Sequence, residues 1–316
     1  MKNFYLNIIN PNPKNFNKII KILKKDDIIS LPTETVYGLA GNAYSNNSIR
    51  KIFNVKKRLK KNPLIIHYYN LNDAKKDVIL NNKFYKVYRK FSPGPLTYIL
   101  RKKKNSRIKP MACANLKTVG VRFPKNKIIR KVLKKLNFPL AMPSANKSSS
   151  VSPVKPSDVS EEFRNKIKVV NGGISKIGIE STVLNLVDRI SILRPGKITP
   201  KQLEKVLKMK IKISSEQSII RSPGSLEKHY SPGIPIYLNK KICPKKFAFI
   251  TFGSKYPVTR NSFNLSRKSN LNESARNLYK FFRNIKKKGY KKIYVAKIPN
   301  KGIGIAINDR LKRASK

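Results

Sequence analysis

The chain has 316 residues, 40% hydrophobic and 27% charged, the make-up of a soluble globular protein long enough for one large or two ordinary domains. No apolar run reaches the length of a membrane span, and the opening MKNFYLNIINPNPK has neither a continuous apolar stretch nor a small-residue cleavage site, so cytoplasmic residence is expected. The formal net charge of +56, from 71 Lys and Arg against 15 Asp and Glu, would attract nucleic acid, nucleotides and anionic surfaces, yet it is spread over the whole Lys- and Asn-rich chain, as compositional drift would also spread it.

Asn12-Pro13 reads as an N-cap followed by a first-turn proline, after which Phe16, Ile19, Ile20 and Leu23 recur at helical spacing. A strand is predicted over 28–32. The TETVYGLAG that follows has the glycines and hydroxyls of a connection with tight backbone geometry. Asn46 is placed to cap a helix carrying Ile49, Ile52 and Phe53, whose end delivers Lys56 and Arg58, and residues 63–68 return as a strand. Further strands are predicted at 97–100, 118–123, 140–143, 182–187 and 190–193, with a helix over 127–136. Thr199-Pro200-Lys201-Gln202 combines a capping hydroxyl, a first-turn proline and a glutamine at N3, so a helix should run to about Met209. The Ser-, Pro- and Gly-rich stretch 214–235 reads as a linker between an alternating α/β domain with a mixed sheet (1–213) and a small α/β domain (236–316) with strands at 247–252 and 293–296 and a helix over 271–288. Cys113 and Cys243 have no partners at metal-ligand spacing and read as neutral thiols.

Candidate ligand groups cluster early. LPTETVYGLAGNAY, then Lys56, Arg58, Asn62-Pro63-Leu64 and His67, one of only two histidines, bring hydroxyls, a carboxylate and fixed cations within a short span. Lys56 and Arg58, beside Lys57, Lys60 and Lys61, could grip a polyphosphate, with the proline turn holding the cations in place. SPGPLT is read as a structural turn. Thr118, Gly120 and Arg122 share one side of a strand, where Arg122 could hold a carboxylate; a surface arginine on an edge strand is the plain alternative. PSAN at Pro143–Asn146, Ser152, the Glu180-Ser181-Thr182 strand entrance and Arg194 add hydroxyls, an amide and another cation. No nucleophile elbow, Walker loop, HExxH helix or GxGxxG fingerprint is present, which points to an enzyme that positions anionic substrates and lets them react with each other.

Taken in order, LPTETVYGLAGNA, KxR followed by NPLIIH, SPGPLT, TVGVRFP, PSAN, GIESTV, RPG, SPGSLEKHYSP and the closing NDRL resemble the threonylcarbamoyl-AMP synthase family (YrdC/TsaC-like) in its long two-domain form. The resemblance implies a YrdC-like twisted mixed sheet with helices around a concave site, plus a small Rossmann-like C-terminal domain. It also implies condensation of L-threonine, bicarbonate and ATP to L-threonylcarbamoyladenylate and pyrophosphate, for threonylcarbamoyladenosine modification of tRNA. By the same resemblance Thr35, His67, Arg122, Met142 and Ser181 would contact threonine. Arg58, Asn62, Thr118, Ser144, Ser152 and Arg194 would contact ATP, Lys56 and Asn146 would lie near the phosphates, and Tyr230 would fold over the nucleotide as a lid. Mg²⁺ would accompany ATP without direct protein ligands. The product would pass to downstream tRNA threonylcarbamoyl-transfer proteins, with weak tRNA binding through the basic surface. Leu59 departs from the proline usual after the KxR arginine, SLEKHY departs from the usual linker, and the C-terminal domain is short. Two other readings of the chain are a non-catalytic RNA-binding module and a carbamoyl-adenylate-forming transferase; the first lacks an aromatic stacking platform and the second lacks its CxxC zinc modules.

Overall fold

The computed structural model describes residues 7–214 and 229–316, so most of the linker predicted at 214–235 lies outside the described residues. Among the described residues the strands form two sheets. The larger runs, edge to edge, β1 (Ile8–Ile9), β8 (Val169–Val170), β2 (Ile29–Leu31), β3 (Gly38–Asn42), β7 (Leu140–Ala141), β4 (Ile65–His67), β6 (Thr118–Arg122), β5 (Leu96–Arg101), β9 (Thr182–Asn185), β10 (Ser191–Arg194) and β11 (Lys212–Ile213). It is mixed, as expected: β4 lies parallel to β6, whereas β2–β3, β3–β7, β4–β7 and β5–β6 pair antiparallel. The smaller sheet is all parallel, in the order β12 (Ile236–Tyr237), β15 (Ile293–Val295), β13 (Ala248–Thr251), β14 (Ser262–Asn264).

Local chemistry sets the helices. In α1 (Pro13–Lys24) the Asn12 side chain accepts from Asn15 N, and Ile19, Ile20 and Leu23 form the buried face. α2 (Asn46–Lys56) is capped by Ser45, not Asn46 as predicted: Ser45 is extended and its hydroxyl accepts from Ser48 N, while Asn46 is already helical. α3 (Leu71–Lys75), α4 (Asn82–Phe91), α5 (Lys127–Lys134) and α6 (Pro156–Phe163) follow. α7 (Pro200–Leu207) carries the predicted capping box, with the Thr199 and Gln202 side chains each serving the other's backbone N–H. α8 (Leu271–Lys287) and α9 (Gly304–Ala314) flank the small sheet.

Three buried clusters hold these layers. One joins α2, α4 and α7 to the large sheet, and a second packs α1 and α5 on Ile29, Leu31, Ala40, Leu140 and Met142. The third is the core of the small sheet, and it also takes in Val36, Val151, Val154, Ile179 and Tyr230. The small unit is therefore packed directly onto the loops that follow strands of the large sheet. Gly178 marks the contact: its φ is +85° and a Cβ there would stand 2.5 Å from the Cα of Arg276 in α8.

The glycine-rich stretch after β2 is a loop only as far as Tyr37. From Gly38 it becomes β3, antiparallel to β2, a correction to the connection predicted there. The reason is tertiary. A Cβ on Gly38 would meet Met142 Cγ at 2.5 Å, so glycine is present to let Met142 lie across the strand, not to break it.

Candidate active site

One cavity opens where the loop before β3, the end of α2, β4, β6, β7 and the start of β9 converge. Its wall includes Thr35, Arg58, His67, Arg122, Met142, Ser144, Glu180, Arg194, His229 and Tyr230. Of the residues singled out from the sequence, eight thus face one space. The others sit around it. Lys56 donates to the carbonyls of Ser144 and Asn146, and Asn62 receives Arg58. Ser181 and Ser152 lie behind Arg194 and Glu180. Thr118 stands outside the lining, two residues back from Gly120, the β6 partner of Ile65, and so at the Pro63 end of the site.

Arg122 is at the end of β6, in register with His67 on β4. β6 is interior, between β4 and β5, and Arg122 is buried, which removes the edge-strand alternative. Its Nη2 donates to Glu34 Oε1 at 2.7 Å, and Glu34 Oε2 accepts the backbone N–H groups of Lys125 and Asn126 at 3.0 and 3.2 Å. Burial opposes charge on Glu34, but Arg122 and these hydrogen bonds outweigh it and hold the carboxyl below its ordinary value. Glu34 thus orients the guanidinium and has no free proton-accepting role. Arg122 Nε is buried with no partner among the described residues.

His67 Nδ1 lies 3.2 Å from Ile65 O, an arrangement that places the proton on Nδ1 and leaves Nε2 as a bare acceptor. Nε2 is buried and without a partner among the described residues. Burial first, then Arg122, pushes the imidazole down to about 3, so it is neutral and a poor base at neutral pH. A neutral acceptor beside a fixed guanidinium fits an ammonium next to a carboxylate, the two ends of an amino acid.

On the opposite wall, α2 ends with Lys57 in the left-handed region, which turns Lys56 inward and folds Arg58 back over the Asn62-Pro63 turn. Arg58 Nη2 donates to Asn62 Oδ1 at 2.6 Å and to Pro63 O at 2.9 Å, and Nε donates to Asn62 O at 2.9 Å. Lys57, Lys60 and Lys61 are solvent-exposed, so the five-cation cluster read from sequence contributes two cations to the site. Arg194 donates from Nε to Ser181 O at 3.1 Å and from Nη2 to Ser181 Oγ at 3.2 Å. Burial and then Arg58 hold Lys56 well below its ordinary value, and burial and then Arg194 push Arg58 down to about 9. Cations crowded and desolvated in this way are stabilised by a bound anion. Behind them Asn146 keeps its Oδ1 buried, without a partner among the described residues. Among the described residues no group of three or more His, Cys, Asp or Glu side chains is arranged to hold a metal ion.

Residues 21–196 match the family model described as "Telomere recombination" (Sua5/YciO/YrdC), and residues 198–316 match "Threonylcarbamoyl-AMP synthase, C-terminal domain". The chain belongs to the Sua5 family. It is 32% identical over 319 residues to the threonylcarbamoyl-AMP synthase of Pyrococcus abyssi, covering 93% of this chain and 92% of that one. To the Bacillus subtilis protein of the same name it is 31% identical over 320 residues, covering 93% and 91%. The crystal structure of P. abyssi Sua5 complexed with L-threonine is matched with a TM-score of 0.90 at 29% identity, over 98% of this chain and 97% of that one.

Besides His229, which lay in the SLEKHY stretch with no role attached, sequence reasoning missed two groups of this Sua5-family site. Glu180 stands just before Ser181 and Thr182, which were singled out for their hydroxyls, and Arg310 belongs to the closing NDRL motif, to which no role was attached. Only their pairing, at 3.0 Å and 130 residues apart in sequence, reveals them.

Proposed function

We infer that the chain is an L-threonylcarbamoyladenylate synthase, joining L-threonine, bicarbonate and ATP with release of pyrophosphate. The observation that carries this reading is one cavity with two unlike walls. The Arg122 and neutral His67 wall suits an amino acid, and the Arg58 and Arg194 wall, with Lys56 behind it, suits a polyphosphate.

On this reading threonine's carboxylate takes the Nε side of Arg122, which has no partner among the described residues, its amine faces His67 Nε2, and Thr35 and Met142 line the pocket with Ser181 behind. The ammonium gives up a proton to solvent, and the free amine nitrogen then bonds the bicarbonate carbon with loss of water. A carbamate oxygen then attacks the α-phosphorus, and the bond to the β-phosphate oxygen breaks as pyrophosphate leaves. Charge grows on the phosphates, so Lys56, Arg58 and Arg194 supply transition-state stabilisation and no protein nucleophile is needed. Asn62 holds Arg58, and Thr118, Ser144 and Ser152 complete the nucleotide site. Mg²⁺ would add charge neutralisation on the phosphate oxygens, facing Ser144 and Asn146 Oδ1 through its waters.

His229 and Tyr230 are both buried against this space, Tyr230 with φ of +65°, and the free volume beside them is about 40 Å³. That is room for a few waters beside the pair, and its displacement would widen the space for substrates. This supports the reading of Tyr230 as a lid that excludes water from the hydrolysable product. We further propose that 1–213 is the catalytic unit, 214–235 the linker and lid, and 236–316 the small α/β domain, and that the product passes to a tRNA-modifying protein. No described helix is long and apolar enough to cross a membrane.

The test is pyrophosphate release from ATP by purified protein, with threonine and bicarbonate omitted in turn. Each omission should abolish release. Release that ignores both would overturn the assignment.

A further inference from the structure

The small unit reaches into the cavity wall through a buried network centred on Glu180. Arg310, on α9, is fully buried; its Nε donates to Glu180 Oε2 at 3.0 Å and its Nη1 to Pro195 O at 2.8 Å and Asp309 Oδ2 at 2.7 Å. Tyr279, on α8, donates to the same carboxylate, with its hydroxyl 3.2 Å and 3.0 Å from the two oxygens, and the Ser152 hydroxyl donates to Oε1 at 2.5 Å. Arg310 also lies over the Tyr230 ring, 5.1 Å from its centroid, and Tyr230 stacks on Tyr279 with ring centroids 6.0 Å apart. Thus one guanidinium from the last helix holds both a wall residue of the cavity and the ring that closes it.

Glu180 is the one carboxylate on this wall beside Arg58 and Arg194, among the described lining residues. Burial opposes its charge, but Arg310 first and Arg194 second more than offset this, and with Ser152 they hold it down to about 2. It therefore stays ionised, and its field falls on Arg194 as well as on Arg310. An ionised carboxylate facing an incoming triphosphate is repulsive unless something neutralises it.

We propose that Arg310 is a positioning residue for the nucleotide, neutralising Glu180 and fixing the Tyr230 ring so that Arg58 and Arg194 present their charge to the phosphates without a competing carboxylate. This rests on the assignment of Arg58 and Arg194 to ATP. The consequence is that the small domain, although distant in sequence from the reacting atoms, sets the affinity of the site for ATP and not for threonine.

The experiment is steady-state pyrophosphate release by the full chain bearing Arg310→Met, Arg310→Lys, Glu180→Gln, or Arg310→Met with Glu180→Gln, each checked for folding by circular dichroism. Arg310→Met should raise the KM for ATP about tenfold or more while the KM for threonine moves by less than about threefold. Adding Glu180→Gln should recover much of that loss, because no carboxylate remains to oppose the phosphates, and Arg310→Lys should lie between. If Arg310→Met does not fold, Arg310→Lys carries the same comparison of the two KM values. A parallel rise in both, or a double variant no better than Arg310→Met, would mean that Arg310 only docks the small domain and would overturn the proposal. Arg58→Ala separates the two levels of argument. An unchanged KM for ATP in that variant removes the nucleotide assignment itself, whereas a raised one together with an unaffected Arg310→Met removes only the role of Arg310.

Discussion

Lowering the pH from 7 to 5 should strip about 4 kcal/mol from the folding stability of this protein through its two histidines. His67 is pushed down to about 3 by burial and then by Arg122. His229 is pushed to about 3 by burial, with Arg58, Lys56 and Arg194 adding to the effect against the opposing pull of Glu180. In the unfolded chain both return to about 6.5. A base whose folded value is depressed is neutral when folded and protonated when unfolded, so its contribution is complete above 6.5 and drains away as the pH falls toward 3. At pH 5 the gap traversed is about 1.5 units, or about 2 kcal/mol for each ring. Domain stabilities are on the order of 5–15 kcal/mol, so the loss is a large part of the total. Glu180, held down to about 2, titrates in a separate and lower window, below its ordinary 4.5. Urea unfolding followed by circular dichroism at pH 7 and pH 5 reads the difference directly. His67→Asn and His229→Asn should each remove about half of the pH-dependent drop, whatever they cost at pH 7. If His67→Asn kept the whole drop, the imidazole would not be buried and neutral, and the argument that Nε2 is an acceptor for the substrate amine would fail with it.

Arg122→Lys keeps a charge opposite Glu34 but loses the planar fork, and should raise the KM for threonine about tenfold or more with the KM for ATP nearly unchanged; equal losses in kinetic assays would dissociate Arg122 from the amino acid. Gly178→Ala places a methyl 2.5 Å from the Arg276 backbone at a φ of +85°, so it should lower the melting temperature and loosen the small unit, seen as faster proteolysis between the two sheets. Thr199→Ala removes a capping-box hydroxyl whose oxygen accepts from Gln202 N at 3.3 Å, and should cost about 1 kcal/mol in chemical denaturation without altering pyrophosphate release.

What could be read without coordinates was whatever depends on neighbours in sequence. The Asn12-Pro13 and Thr199–Gln202 caps are satisfied within a few residues, so α1 and α7 were legible, and so were the apolar runs that became β2, β5, β6 and β13. The cations Arg58, Arg122 and Arg194 were legible as ligand groups because turns and strands hold them on either side. Tertiary structure decided the rest. Gly38 reads locally as a breaker, but Met142, arriving from another strand, makes it part of β3. Of the basic run at 56–61, only burial separates Lys56 and Arg58, turned into the site, from three lysines in solvent. From sequence Glu34 and Glu180 read only as carboxylates within loop motifs; Arg122, 88 residues from Glu34, and Arg310, 130 residues from Glu180, decide what each does. Capping and amphipathic periodicity are short-range forces that a sequence spells out, whereas the charge state and job of a buried carboxylate depend on which cation the fold brings to it.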